Sequence, residues 1–268
     1  MWTVDATRYS LSQNALLHAG DLLDVQTWPV VLDLAPSYRT ADEIGPARQA
    51  AEAELRAARL IADDGELVDG LAAVLHVLSR PEVELEVRIV DASGMRRMCI
   101  ARRGRHHVRA LRFGDNTIVE SIEVTDAGQL GNAVLDVLDA GDAASFTGIS
   151  AARDELAERL NECRGVDDFA QALHAVGASH PDAAAVSAAF ADVTSQCEVV
   201  AVEHQPGTTH QTPGAVAIYA TGRGRIVASP STSADGRIWT TISPGTRRRI
   251  EQAIGLLLEF LPGGRWMP

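Results

Sequence analysis

Two stretches of the chain alternate apolar and polar residues with period two, and both are set among stretches with helical spacing. The first opens at Val83, where Val83, Leu85, Val87 and Ile89 interleave with Glu84, Glu86 and Arg88, the mark of a strand with one face on a core. Asp91-Ala92-Ser93-Gly94 supplies a turn. Further strands read at 95–103, 106–113 and 116–124, joined by Arg103-Gly104-Arg105 and Gly114-Asp115-Asn116, connections short enough for antiparallel hairpins. The second stretch opens at Cys197 and continues through 215–221, 223–229 and 236–242, turning at Gly222, Gly224 and Ser233-Ala234-Asp235-Gly236. Each predicts a β-meander.

Helical periodicity brackets both meanders. Thr40-Ala41-Asp42-Glu43, or else Pro46, starts a helix that ends near Ile61. A second begins after Asp64-Gly65, carries Leu67, Leu71, Val74, Leu75 and Leu78 on one face and stops before Pro81. Ahead of the second meander come a helix from Ala151 to Cys163, one with Val166, Phe169, Leu173 and Val176 on one face, and one with Val186, Phe190 and Val193. Ala127 to Ala140 follows the first meander, and Pro244-Gly245-Thr246 opens a helix after the second that Pro262-Gly263 ends.

The same order of elements therefore occurs twice. We read a single domain over 1–268: an N-terminal strand and helix (2–6 and 11–19) within 1–40, a first pseudo-repeat over 41–140 and a second over 150–261. The expected class is α+β, with a large, mostly antiparallel central sheet shared by both halves and helices on its faces and ends. Pairing about a pseudo-two-fold axis is the simplest arrangement, and two independent sheets would contradict it.

Composition narrows the function classes. With 46% hydrophobic and 22% charged residues the chain can bury a sizeable core. No run approaches the ~20 apolar residues that span a bilayer, and Met1-Trp2-Thr3-Val4-Asp5 does not begin a secretory signal, so a cytoplasmic protein without membrane insertion is expected. A net charge of −12 disfavours nucleic acid as partner. Cys99, Cys163 and Cys197 are widely spaced and odd in number, so they read as small hydrophobes and not as a disulfide framework or a zinc site.

Candidate chemistry is sparse. His106 and His107 are neighbours on a strand, point to opposite faces, and read as ordinary, partly exposed histidines; His204 and His210 bracket the loop Gln205-Pro206-Gly207-Thr208-Thr209 without a ligand spacing. Gly148-Ile149-Ser150-Ala151-Ala152 is one glycine short of a nucleophile elbow, and Ser150 reads as a helix cap. Gly222-Arg223-Gly224-Arg225 joins two strands, so it is a hairpin turn and not a phosphate loop. Asp63-Asp64 and Asp167-Asp168 sit at helix starts, where the macrodipole favours carboxylates. No catalytic residue, metal or cofactor is indicated.

Two features remain. Arg96, Arg97, Arg102, Arg103, Arg105, Arg109 and Arg112 lie in a stretch without acidic residues. They suit solvated residues paired with Glu84, Glu86 and Glu120 on neighbouring strands, or an anion or acidic-partner site. The second meander is apolar at nearly every position over Val199 to Val202 and Ala215 to Ala220. Either helices cover it on both faces, or one face stays open as a groove for an apolar partner segment.

Specific motifs resemble the EspG family, the cytosolic chaperones of mycobacterial type VII (ESX) secretion. They are Gly224-Arg225-Ile226-Val227-Ala228-Ser229-Pro230-Ser231 with Asp235-Gly236 and Trp239, Ser243-Pro244-Gly245-Thr246, and Leu261-Pro262-x-Gly264-x-Trp266. Arg80-Pro81 and Arg102-Arg103-Gly104 to His107-Val108 are similar too. The resemblance implies a central sheet with two helical bundles and quasi-two-fold symmetry. It also implies binding to PE–PPE heterodimers at the tip of the PPE helical hairpin, which keeps that tip soluble and selects one secretion system. On this basis Val200, Val202, Ile218 and Ile226 of the second meander, with Phe169, Leu173 and Phe190 of the preceding helices, are the expected partner-binding residues. An enzyme or ligand sensor using the arginines for an anion, and a homodimer formed through apolar sheet surfaces, are the alternatives.

Overall fold

The computed structural model describes residues 8–268. Its first half runs β1 (Arg8–Ser12), α1 (Gln13–Leu22), a 3₁₀ turn (Val30–Leu32), α2 (Ala41–Ala57) and α3 (Asp69–Ser79). Then come β2 (Val83–Asp91), β3 (Gly94–Arg103), β4 (His106–Phe113), β5 (Asn116–Ile122) and α4 (Ala127–Leu135). The second half begins with β6 (Ile149–Ala152), α5 (Arg153–Asn161), α6 (Val166–Ala175) and α7 (His180–Phe190). It continues through β7 (Val193–Gln205), β8 (Thr208–Gln211), β9 (Val216–Thr221), β10 (Ile226–Thr232), β11 (Ile238–Pro244) and α8 (Arg247–Leu258).

All these strands join one sheet in the order β1-β5-β4-β3-β2-β7-β9-β10-β11-β6, with β8 paired to β7 off this path. β2 and β7 pair antiparallel from Val83↔Glu203 to Asp91↔Ser195. The two meanders therefore meet at a seam, and strand order reads alike outward from it: meander, then an edge strand taken from ahead of that half's helices. The quasi-two-fold sheet expected from the repeated pattern is what forms.

Strand parity sorts the side chains into layers. Leu85, Val87 and Ile89 of β2 share a face with Met98 and Ile100 of β3, Cys197, Val199 and Ala201 of β7, Ile218 of β9 and Val227 of β10. This layer is buried with Ile250, Ile254 and Leu257 of α8 and Leu130 and Val134 of α4, so the α4–α8 pair covers the seam. Each such aliphatic side chain contributes about 1.5–3 kcal/mol on burial. On the opposite face two separate cores form. Leu16, Leu55, Leu71 and Leu75 of α1–α3 close on Ala101, Val108 and Val119; Leu156, Leu173 and Val186 of α5–α7 close on Ile149, Ile226 and Ile242. That face thus carries one helical bundle per half, with the seam between them.

Local signals explain most boundaries. Ser12, Asp126, Ser179 and Thr246 cap α1, α4, α7 and α8 by accepting from backbone amides of the first turn. Gly224 turns β9 into β10 at φ 107°, and a Cβ there would lie 2.6 Å from the backbone nitrogen of Ala144, so only glycine fits this hairpin.

Several boundaries differ from the sequence expectation. The strand expected at 2–6 lies outside the described residues, and Leu11 belongs to β1, with the helix starting after Ser12. Asp63 and Asp64 start no helix: they occupy a turn closed by the Ile61↔Leu67 bridge, and α3 begins at Asp69. Ser150 caps no helix. It lies in edge strand β6, whose four residues pair with β11 from Ile149↔Ile242 to Ala152↔Trp239. A segment of that length shows too little alternation to stand out beside a helix. Val193 belongs to β7, not to the preceding helix, and Glu203↔His210 and His204↔Thr209 are register pairs of the β7–β8 hairpin.

Candidate partner-binding face

On the two-bundle face the seam carries Glu84, Glu86, Arg88 and Val90 of β2 opposite Val202, Val200, Glu198 and Gln196 of β7. Its two ends differ. Glu84, Glu86, Val200 and Val202 are each at most 5% exposed. Arg88 and Glu198 are partly exposed, Gln196 is exposed, and Val90 is 46% exposed.

A segment of the first half lies over part of this face. The 3₁₀ turn is held by Val31, whose N–H donates to Glu86 Oε1 at 3.2 Å, by Arg97, which donates to the Val31 carbonyl at 3.2 Å, and by Arg112, which donates to the carbonyls of Leu32 and Asp33 at 2.6 Å. Arg88, Arg97 and Arg112 are cross-strand neighbours in one row, an arrangement that repels unless countercharges are supplied. Asp33 supplies one at 3.0 Å from Arg97, and Glu86 lies 3.6 Å from Arg88.

Four more arginines of the stretch are likewise engaged within the chain, whereas Arg105 is exposed in the β3–β4 turn. Arg109 pairs with Glu120 at 2.7 Å, Arg96 with Asp91 at 2.7 Å, Arg102 with Glu82 at 3.0 Å, and Arg103 donates to the carbonyl of Arg80. Among the described residues Glu84 pairs with no arginine. It accepts from His204 at 2.8 Å and from the Cys99 thiol at 3.3 Å. Burial, and then Glu84 beside it, raises the Glu86 carboxyl above the usual carboxylate range. The hydrogen bond to Glu84 raises His204, and burial with the Glu84 charge pushes the Cys99 thiol well up. His107 is also not the partly exposed residue expected: it is buried and stacked on Trp266 at 6.1 Å.

Beyond the 3₁₀ turn the seam continues as an uncovered strip. Arg88, Glu198, Ala217 and Ala228 form one cross-strand row over β2, β7, β9 and β10, each partly exposed, and Val90, Gln196 and Tyr219 form the next. The α6–α7 bundle borders it with an aromatic edge. Phe169 and Phe190 lie 5.2 Å apart and Phe190 meets Tyr219 edge-on at 4.8 Å, all three partly exposed. On the other side Val30, Val90 and Met95 are exposed apolar residues.

The seven residues expected from the sequence are not brought together. Phe169, Leu173, Phe190 and Ile226 share one cluster, with Leu173 and Ile226 buried beneath the two rings. Val200 and Val202 face the same way but are buried at the closed end of the seam. Ile218 points to the opposite face beneath α8, 2% exposed, because it pairs with Cys197 and Val227 and is one position out of phase with Tyr219. Sequence reasoning missed Arg88, Val90, Gln196, Glu198, Ala217, Ala228 and Tyr219. The parity of β9 separates Tyr219 from Ile218, but no local pattern shows which face is left uncovered.

Among the described residues no group of three or more His, Cys, Asp or Glu is placed to hold a metal, and no helix is long and apolar enough to cross a membrane.

The fold has solved counterparts: the Mycobacterium tuberculosis type VII secretion system chaperone EspG5, determined in complex with a PE25-PPE41 dimer, superposes with a TM-score of 0.84 over 97% of this chain and 99% of that one, at 20% identity. In sequence the chain is 28% identical to the ESX-1 secretion-associated protein EspG1 of Mycobacterium marinum over 98% of its own length and 92% of the relative's. It is 31% identical to EspG1 of Mycolicibacterium smegmatis over 73% of its length and 67% of that protein's. It is 28% identical to the ESX-3 secretion-associated protein EspG3 of Mycolicibacterium smegmatis over 92% of its length and 85% of that relative. The EspG family model matches residues 12–255, and the chain belongs to the EspG family.

Proposed function

We propose that the chain is a cytosolic, non-catalytic secretion chaperone that binds the helical tip of a PPE protein in a PE–PPE heterodimer, keeps that tip soluble and directs the pair to a type VII secretion system. The observation that carries this is the uncovered strip between the two bundles, in a chain whose relatives are named ESX secretion-associated proteins and whose structural neighbour was solved with a PE–PPE dimer. Four strands at about 4.8 Å spacing give the strip a width of about 14 Å, enough for a helix end of about 10–12 Å diameter. Its aromatic edge and its alanines offer an apolar bed without long side chains in the way. The mechanism is occlusion, with no turnover.

Within this proposal Phe169, Phe190 and Tyr219 contact the partner, supported from beneath by Leu173 and Ile226, while Ala217, Ala228 and Val90 form the floor and far side. Val200 and Val202 support the closed end of the seam, and Ile218 stabilises the opposite core. Co-expression with candidate PE–PPE pairs tests it. Ala217→Arg and Ala228→Arg should abolish co-purification while leaving the melting temperature within a few degrees of the parent. Co-purification undiminished by both substitutions would refute the site.

A further inference from the structure

Resting on the chaperone function proposed above, we infer that Glu198 makes the strip selective for a partner segment that carries one arginine or lysine amid apolar residues, bound by the Glu198 carboxylate when the strip is covered. Glu198 sits between Arg88 on β2 and Ala217 on β9. Among the described residues, no cation lies within ion-pair distance of it. The nearest candidate, Arg88, is turned along its own strand to Glu86 at 3.6 Å.

The charge count around the seam explains why Arg88 stays there. Glu84 and Glu86 are both buried; the His204 ring is hydrogen-bonded to Glu84 at 2.8 Å, and Arg88 is the cation beside Glu86. Arg97 and Arg112 are committed to Asp33 and to the carbonyls of the 3₁₀ turn. Swinging Arg88 across to Glu198 would leave two buried carboxylates against one imidazole, an arrangement costlier than a partly hydrated Glu198. The free protein tolerates this third carboxylate because water reaches it. A partner that covers the strip removes that water, and an unpaired carboxylate would then oppose binding. A basic side chain on the partner turns the penalty into a charge-assisted hydrogen bond. A wholly apolar or acidic tip is rejected by the same group.

The test uses the full chain and a purified PE–PPE pair that it captures, with affinity measured by calorimetry at several NaCl concentrations. The parent should bind with an affinity that falls as salt rises. Glu198→Gln, nearly isosteric, should weaken binding about tenfold or more and flatten the salt dependence, and Glu198→Lys should abolish it. Glu158→Gln, on the exposed face of α5, should leave both unchanged. Unaltered affinity and salt dependence in Glu198→Gln would overturn the inference and leave the chaperone function standing. Failure of the parent to capture any PE–PPE pair would refute that function and the inference with it.

Discussion

The carboxylate of Glu86 accepts the amide N–H of Val31 at 3.2 Å, across 55 residues of chain, and so ties the 3₁₀ turn of the first half to the centre of the sheet. It does so while 4% exposed and beside a second buried carboxylate.

Glu86→Gln keeps an oxygen to accept from Val31 and removes the buried charge, so stability at neutral pH should hold or rise slightly. Glu86→Ala leaves the Val31 amide without its acceptor and should cost about 1–3 kcal/mol in chemical denaturation, with faster hydrogen exchange at Val31. The sign with pH follows from the raised carboxyl. The folded protein holds that proton more tightly than the unfolded chain, so stability falls as pH rises from the ordinary carboxylate value through the raised one. Glu86→Gln should remove that fall.

His107 acts in the opposite sense. Burial, with Arg102 nearby, lowers it from 6.5 to about 4, so the unfolded chain takes up a proton that the folded protein refuses. Its contribution is complete above about pH 6.5 and is lost as pH falls towards about 4, by up to about 3 kcal/mol. His107→Phe keeps a ring against Trp266 and should shrink that acid loss, read from denaturation midpoints at pH 7.0 and 4.5. An equal acid loss in the variant would show that other groups cause it.

Two helix glycines should respond with opposite signs. A Cβ on Gly131 of α4 would lie 2.9 Å from Cα of Glu251 on α8, whereas one on Gly255 of α8 meets nothing within 4 Å. Gly131→Ala should therefore force α4 from α8 and destabilise by about 1–3 kcal/mol. Gly255→Ala should stabilise by about 0.5–1 kcal/mol. Thermal melts of the two variants decide it.

Trp266 is 1% exposed and packs into the core beneath α4 and α8, while Gly263 N–H donates to Glu203 of β7 at 2.8 Å. Trp266→Ala should cost about 3–5 kcal/mol. A loss under 1 kcal/mol by urea denaturation would show that the tail is dispensable to the fold.

Much of the fold could be read from alternation and turns, because Val83 to Ile89 and the hairpins at Gly104, Gly114 and Gly224 carry their geometry in local sequence. The edge strand holding Ser150 could not, since four residues show one inward pair, Ile149 and Ala151, and their pairing with β11 spans some ninety positions. The face itself was half legible. Phe169 and Phe190 stand out as aromatics on helical faces. Glu198 and Ala217 gain significance only once β2, β7 and β9 are in register and the 3₁₀ turn is seen to stop short of them. The arginines illustrate the same limit: Arg97 and Arg112 meet Asp33, a partner that no cross-strand pattern suggests.

The seam between β2 and β7 has a consequence for synthesis on the ribosome. β1 joins β5 within the first half and β6 joins β11 within the second, whereas β2 must wait for β7, which is made more than a hundred residues later. Until then β2 is an open sheet edge, the kind of surface through which nascent copies aggregate. Glu84, Glu86 and Arg88 place charges at alternate positions along that edge, whereas its late partner is apolar from Val199 to Val202. The charged strand is the one that must stand alone, and the adhesive strand emerges when its mate is already in place.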